Sequence, residues 1–325
     1  MKFDIRRPAF MEKAGNGGHN IFLELGISIL VFIVVNMIGS MIVGACSTIN
    51  MFTDPRYLEM LASGVVDIDL ITEIAMDIPD WMSIVNLFCQ IFMTVGCVLY
   101  CLWFEKRRSD TLGFVKERKV SQYLIGAALG AGLFAAAFGI CALFGSVEIT
   151  ALNSFNPVML ILFLAGYLIQ GLAEEVFCRG YLMVSIGKRY STVTAVLVSS
   201  LVFAALHLMN PGLTLLAFLN LFLFGVFMAL LMVRYNNIWI VGGLHSLWNF
   251  VQGNIFGIEV SGTGLSTSVM SSAIDENKAF INGGSFGLEG GLAVTFVLLA
   301  GCVFVLISLY RKGAFVKKEK AAVAV

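Results

Sequence analysis

The sequence predicts an all-α fold, a polytopic transmembrane helical bundle of about eight helices. Hydrophobic residues make up 58% of the 325 residues and charged residues only 13%, whereas soluble domains carry about 25% charged residues. Several apolar stretches are long enough to cross about 30 Å of hydrocarbon, which requires roughly 20 helical residues. The basic residues collect on alternate connections between these stretches. Together, these observations exclude an ordinary soluble domain.

Eight apolar segments reach the length of a membrane span, and we expect each of them to form a helix. They are 20–46, 81–104, 121–145, 157–187, 190–209, 213–234, 237–257 and 289–310. The fourth segment is longer than a span requires, and it contains Glu174, Glu175 and Arg179. We therefore expect part of this helix to lie in a polar cavity or to project into water.

The basic residues predict the orientation, because cytoplasmic flanks retain Lys and Arg during insertion. With the N-terminus inside, all of the 21 Lys and Arg residues except Arg56 and Lys278 lie on the cytoplasmic side. We therefore expect both termini to be cytoplasmic. The sequence shows no organelle signal, which favours a prokaryotic plasma membrane as its location.

Three regions are expected along the chain. Residues 1–156 hold the first three helices and an acidic outside loop at 47–80, for which we expect short amphipathic helices. Residues 157–257 hold four helices that carry intramembrane polar residues. Residues 258–325 comprise an outside loop at 258–288, the last membrane helix and a basic cytoplasmic tail. That second loop is rich in Gly, Ser and Thr, so we expect it to be flexible.

Ionisable side chains inside apolar helices mark a functional site, because each costs at least a few kcal/mol at the bilayer centre. The first group of them lies in LIQGLAEEVFCRGYL, which contains Glu174, Glu175 and Arg179. The four-residue spacing puts Glu175 and Arg179 on one helix face as an ion pair, and Glu174 points about 100° away. Glu174 is thus the carboxylate left free for chemistry.

The second polar group lies in VFAALHLMNPG, where Phe203 and His207 share one helix face. The helix must end before Pro211, since proline lacks an N–H and restricts the residue before it. His207 is therefore expected near a helix C-terminus.

The third polar group lies in VGGLHSLWNF, where His245 and Asn249 share a face. Gly242 and Gly243 allow a neighbouring backbone to approach closely. Counted at about 1.5 Å per residue from the predicted turns, the three groups lie at similar depths. We therefore expect Glu174, His207, His245 and Asn249 to line one polar pocket.

These residues form three ordered motifs: EEVFCR matches EExxxR, FAALH matches FxxxH, and HSLWN matches HxxxN. In this the chain resembles the CPBP family of intramembrane proteases, the CAAX-processing and bacteriocin-processing (Abi) enzymes, over roughly residues 157–255. The resemblance implies hydrolysis of a peptide bond within the membrane.

By matching position, the resemblance implies that Glu174 and His207 activate water, while His245 and Asn249 hold the oxyanion. Glu175 and Arg179 complete the first motif. General-base and oxyanion chemistry agree with these residue types. The implied partners are the lipid bilayer and a membrane protein or lipidated peptide as substrate. The net charge of zero gives no indication of nucleic acid as a partner.

A metal-dependent mechanism is the alternative for the same residues. Glu174, His207 and His245 can supply one oxygen and two nitrogens to Zn²⁺, with a position open for water. However, the sequence has no HExxH motif, in which one helix presents two ligands and a base. We prefer the glutamate mechanism and assign no cofactor, with Zn²⁺ as the alternative.

Two functions of other classes are consistent with the same pattern. Buried Glu and His residues also form proton relays, as in a proton-coupled transporter, although the sequence shows no two related halves of the kind such carriers contain. A membrane protein of the immunity or scaffold type binds a peptide without cutting it. Cleavage of a reconstituted peptide distinguishes these functions from a protease.

Overall fold

The computed structural model describes residues 3–317, and these fold into a helical bundle with four short strands at its ends. The predicted all-α class is therefore confirmed. In chain order the elements are β1 (Phe3–Ile5), α1 (Ala9–Lys13), α2 (Ile21–Thr53), α3 (Pro55–Ser63), α4 (Ile68–Met76), α5 (Asp80–Cys89), α6 (Ile91–Trp103), α7 (Lys119–Leu143), β2 (Val147–Leu152), α8 (Pro157–Glu175), α9 (Met183–Gly187), α10 (Thr192–Ala205), α11 (Leu215–Tyr235), α12 (Trp239–Phe250), β3 (Met270–Ile274), α13 (Ala279–Asn282), α14 (Leu292–Arg311) and β4 (Phe315–Lys317).

Within residues 3–317, six helices are long and apolar enough to cross a membrane, so this is an integral membrane protein. They are Ile21–Thr53, Asp80–Trp103, Lys119–Leu143, Pro157–Gly187, Leu215–Tyr235 and Leu292–Arg311. The fourth runs from α8 to α9 through a π-helical stretch at Val176–Leu182. The other two predicted segments form shorter helices: α10 has 14 residues, and α12 has 12 before it turns π-helical at Val251–Ile255.

Helix α12 lies at the centre of the bundle, where it packs against α7, α8 and α11. Glycines make its contact with α7 unusually close. A Cβ added at Gly243 would lie 2.1 Å from the Tyr123 carbonyl oxygen, and one added at Gly126 would lie 1.9 Å from the Ile240 carbonyl oxygen. The predicted close backbone approach at Gly243 is therefore present, and it helps to hold α12 in a fixed position.

The two terminal segments meet at one end of the bundle. Strands β1 and β4 pair in an antiparallel register in which Ile5 lies opposite Phe315. Arg7 Nη2 also donates to the Lys188 carbonyl oxygen at 3.3 Å, next to the turn between α9 and α10. Both terminal segments therefore lie on the same side. Of the basic residues predicted to be cytoplasmic, Lys2, Lys318 and Lys320 lie outside the described residues.

The opposite end carries the two loops predicted to be outside. The first contains the short helices α3 and α4, as expected. The second was expected to be flexible, but strand β3 within it pairs with β2, and Asn282 Nδ2 donates to the Ser146 carbonyl oxygen at 2.7 Å. Phe286 and Leu288 are fully buried. Apolar residues among the glycines anchor this loop, so the expectation of a flexible loop was wrong.

Candidate active site

Four of the predicted site residues line one cavity of about 400 Å³: Glu174, His207, His245 and Asn249. Helices α8 and α12 supply three of them, and the turn after α10 supplies His207. Residues of the two outer loops line the same cavity, namely Ala75, Ile78, Ser261 and Thr263. The cavity therefore extends from the middle of the bundle toward the end that is opposite the terminal segments.

Glu174 is the carboxylate that faces this cavity. Its side chain is 22% exposed. Gln170, one turn earlier on α8, donates from Nε2 to Glu174 Oε1 at 2.5 Å. The other oxygen, Oε2, lies 3.7 Å from His245 Nε2. Glu174 is thus open to the cavity as expected, although a neighbouring amide holds one of its oxygens.

Glu175 and Arg179 form the predicted ion pair behind the cavity wall. Arg179 Nη1 donates to Glu175 Oε1 at 3.1 Å, and both side chains are fully buried. The Arg179 guanidinium also lies 4.5 Å above the ring of Phe203. Neither charged residue lines the cavity, so the structure separates the six predicted residues into four at the cavity and two behind it.

His245 connects the two carboxylates. Its Nδ1 lies 3.0 Å from Glu175 Oε1, and because an ionised carboxylate only accepts hydrogen bonds, Nδ1–H is the donor. This contact turns the opposite nitrogen, Nε2, toward Glu174 and the cavity. The rings of Phe203 and Phe224 lie edge-on to the imidazole, with centroid distances of 5.9 and 5.2 Å. His245 is therefore held by two aromatic rings and at one nitrogen.

His207 follows the end of α10, which terminates at Ala205, well before Pro211. Its Nδ1 lies 2.9 Å from the Phe203 carbonyl oxygen, and its ring centroid is 4.9 Å from that of Phe203. The shared face and the position near a helix C-terminus are therefore confirmed. Both side chains line the cavity, and among the hydrogen bonds of residues 3–317 none joins His207 to Glu174.

Gln170 is a site residue that the sequence analysis missed. Its amide oxygen accepts from Asn249 Nδ2 at 3.1 Å, while its amide nitrogen donates to Glu174. One side chain thus links a residue of the first motif to a residue of the third. The available signal was the spacing, since a polar amide one helical turn before Glu174 must point to the same side of α8.

Glu289 is a second residue that was missed. It lines the cavity, although it lies just before α14 and far from the motifs in sequence. Its Oε2 accepts from both the backbone N and the side-chain Oγ of Ser261, each at 2.8 Å. These bonds hold the outer loop at the rim of the cavity, and an acidic residue next to an apolar segment was the sequence signal.

The Zn²⁺ alternative concerns three side chains that each have one hydrogen-bond partner in the structure. Within residues 3–317, no group of three or more His, Cys, Asp or Glu side chains is arranged to hold a metal ion. The Nδ1 atoms of His207 and His245 face the Phe203 carbonyl oxygen and Glu175, and Glu174 Oε1 accepts from Gln170. Metal-bound histidines make hydrogen bonds of this kind at their other ring nitrogen, so Zn²⁺ stays the alternative to the glutamate mechanism.

Comparison with protein families identifies the region that contains the cavity residues. The family model described as Type II CAAX prenyl endopeptidase Rce1-like matches residues 154–251. This stretch includes all six predicted site residues, from Glu174 to Asn249. No curated protein matches the chain significantly. The match supports a membrane-embedded endopeptidase at the level of the family. The family predicted from the three motifs is thus confirmed for residues 154–251, which match the Rce1-like type II CAAX prenyl endopeptidases.

Proposed function

We propose that this protein is an intramembrane endopeptidase in which Glu174 activates the water that hydrolyses a peptide bond of a membrane-associated protein or peptide. The observation that carries the proposal is the single cavity lined by Glu174, His207, His245 and Asn249. Carboxylate, imidazole and amide groups that converge on one space are the parts that acyl transfer to water requires. The family match supports the same reaction class.

In the proposed reaction, Glu174 accepts a proton from water while the water oxygen attacks the carbonyl carbon of the scissile bond. His207, on the same cavity, orients that water. The tetrahedral intermediate then breaks its C–N bond, and Glu174 returns the proton to the leaving nitrogen. Because Glu174 is 22% exposed while Glu175 is fully buried, Glu174 is the motif carboxylate that water can reach.

His245 and Asn249 are the proposed donors to the oxyanion. When His245 is protonated, Nε2 carries an N–H directed at the cavity, and Glu175 at Nδ1 stabilises the cation. Asn249 uses one N–H for Gln170, and an amide nitrogen has a second N–H to offer. Two donors aimed at one developing negative charge are the usual form of electrostatic stabilisation in acyl transfer.

The orientation predicted from the basic residues determines the side from which the cavity is reached. If the terminal segments are cytoplasmic, the outer-loop residues Ala75, Ile78, Ser261 and Thr263 that line the cavity face the exterior. We therefore propose that substrates reach the cavity from the non-cytoplasmic side of a prokaryotic plasma membrane. Labelling with a membrane-impermeant thiol reagent tests this: Ser261→Cys should react in intact cells, and Glu12→Cys should not.

The test of the proposed function is cleavage of membrane-anchored peptides by purified protein in liposomes. The panel includes a CaaX peptide with and without a prenyl group, because the family is named for that substrate. Glu174→Gln should slow cleavage about 10³-fold, within the range for loss of a general base. Glu148→Gln is the matched control, since Glu148 is exposed on β2, and it should cleave at the wild-type rate.

Two outcomes contradict the proposal. If folded Glu174→Gln cleaves as fast as wild type, Glu174 is not the base. If folded wild-type protein cleaves no peptide of the panel, a peptide-binding or transport function replaces the protease. Measuring activity in a chelator, together with the metal content of the protein, separates the two mechanisms, because the glutamate mechanism predicts full activity without metal.

A further inference from the structure

A groove between α2 and α5 adjoins the cavity. It has a volume of about 330 Å³, and its lining residues come from α2, α5 and Gln90 at the α5–α6 junction. Four residues line both spaces: Val43, Ser47, Asn86 and Gln90. Helix α2 lies at the edge of the bundle, since only 17% of its most apolar stretch is buried. The groove therefore leads from the catalytic cavity to the periphery of the protein.

Helices α2 and α5 are in contact at Gly39 and leave open space at Gly44. At Gly39, an added Cβ would lie 3.2 Å from Cys89 Cβ, so α2 and α5 touch there. At Gly44, further along α2, nothing lies within 4 Å of an added Cβ. The groove is therefore open at Gly44, and α2 and α5 meet again where Ser47 Oγ lies 3.6 Å from Met82 Sδ.

Two side-chain amides in this junction lack partners. Among residues 3–317, the other amides that line the cavity, those of Gln170, Asn210 and Asn249, are hydrogen-bonded, whereas no hydrogen bond joins the side chain of Asn86 or Gln90 to another group. Both lie on the apolar helix pair Asp80–Trp103. Asn86 is exposed and Gln90 is half-buried, so both amides can reach an occupant of the groove, and inside a membrane they favour an occupant with polar groups.

A polypeptide in extended conformation is an occupant with matching chemistry. A peptide bond must be out of a helix before water can attack it, and its neighbouring N–H and C=O groups then need partners inside the membrane. Side-chain amides offer a donor and an acceptor together. We propose that the groove holds an extended segment of the polypeptide substrate beside the scissile bond, with Asn86 and Gln90 as partners of its backbone. This inference rests on the proposed peptidase function.

The first test fills the groove with a side chain. Gly44→Leu adds bulk in the open part of the groove. Gly26→Leu is the matched control, because both glycines are exposed on α2 with open space around them. Only Gly44 lines the groove. Binding of a fluorescent membrane-anchored peptide is measured in liposomes on the Glu174→Gln background, which removes turnover. Gly44→Leu should weaken binding about tenfold, and Gly26→Leu should leave it unchanged.

The second test removes the amides. With Glu174 intact, Asn86→Leu and Gln90→Leu should each raise KM about fivefold, as expected for one hydrogen bond, with kcat near that of wild type. Thr48→Leu controls for the loss of a polar group, because Thr48 bonds to its own helix at the Gly44 carbonyl oxygen and is exposed.

The outcomes separate this inference from the proposed function. Unchanged binding in Gly44→Leu together with unchanged KM in both amide variants overturns the groove assignment, even if wild type cleaves and Glu174→Gln does not. Equal losses in Gly44→Leu and Gly26→Leu also overturn it. A folded Glu174→Gln protein that binds no peptide contradicts both proposals.

Discussion

Two clusters of buried charges within residues 3–317 differ in how completely their carboxylates are paired. One lies at the end that holds both terminal segments. There Glu105 lies 2.9 Å from Arg107 Nε and 3.4 Å from Lys188 Nζ, and it accepts from Ser185 Oγ at 2.9 Å. The carboxylate of Glu105 is thus surrounded by donors from the loop after α6 and from the C-terminal end of α9, which it ties together.

The other cluster lies beside the cavity and is incomplete on one side. Glu175 is paired with Arg179 and His245, but the adjacent Glu174 accepts only from Gln170 and approaches His245 no closer than 3.7 Å. Burial of charge is common to both clusters. Both carboxylates also border a cavity, so the difference is the number of donors. A buried carboxylate that donors enclose indicates structure, and one that keeps an oxygen free indicates chemistry.

We expect the largest effect from removing Arg179, one partner of the buried ion pair behind the cavity wall. Arg179→Met leaves the fully buried Glu175 without its guanidinium, and we expect a loss of about 3–5 kcal/mol in the free energy of unfolding, as for other broken buried pairs. Arg107→Met should cost less, since Glu105 keeps Lys188 and Ser185. Thermal unfolding in detergent compares the two variants.

The double variant Glu175→Gln with Arg179→Met serves as the control for this prediction. It removes both charges, so most of the lost stability should return. If Arg179→Met is as stable as wild type, or is destabilised less than Arg107→Met, the proposed difference between the two clusters is wrong.

The second largest effect should arise at the α7–α12 contact that positions His245. Gly243→Ala forces a methyl group toward the Tyr123 carbonyl oxygen, and overpacking of this kind costs about 1–3 kcal/mol. Gly132→Ala, on α7, meets nothing within 4 Å and should not destabilise the protein. Unfolding measurements and cleavage rates of both variants are compared; equal stability would mean that α12 shifts easily and that the contact does not fix the site.

The glycines also show where sequence reasoning fails. The sequence indicates close helix packing for four glycines of α7, but only Gly126 and Gly130 approach another backbone, while Gly132 and Gly139 face open space. Composition signals that a helix can pack closely. It does not say which face meets a neighbour, because that depends on helices far away in sequence.

The ion pair and the shared cavity were predictable because they depend on local spacing and on motif order. Glu175 and Arg179 meet because they lie four residues apart on one helix. Gln170 and Glu289 were missed, since their roles depend on contacts with Asn249 and Ser261, which come from other elements. The strand pairing of β2 with β3 was missed for the same reason.

A smaller effect is expected from Gln170→Met, which separates Asn249 from Glu174. The variant keeps the size of the side chain and removes both amide bonds. We expect kcat to fall about 30-fold, because two hydrogen bonds of roughly 1 kcal/mol each hold the reacting groups in place, and KM to stay near the wild-type value. Gln122→Met, on α7 and away from the cavity, is the control. A change confined to KM, or equal losses in both variants, would assign Gln170 a different role.

The smallest effect should come from the outer loop, far from either cluster. Hydrogen bonds from Arg56 lower the pKa of Asp54 below its ordinary value of 3.8, and their side chains approach to 2.8 Å. A carboxylate whose pKa is lowered by folding adds stability above its unfolded-state pKa and loses that contribution as the pH falls through its folded-state value.

Asp54→Asn retains a side chain that caps α3 well and removes the charge. Its melting temperature should therefore lie slightly below that of wild type at neutral pH, and the difference should disappear in acid below the folded-state pKa. If the difference in melting temperature persists below the folded-state pKa, the substituted amide disturbs the helix cap itself. The contribution of the Asp54–Arg56 pair to stability would then have to be measured with another variant.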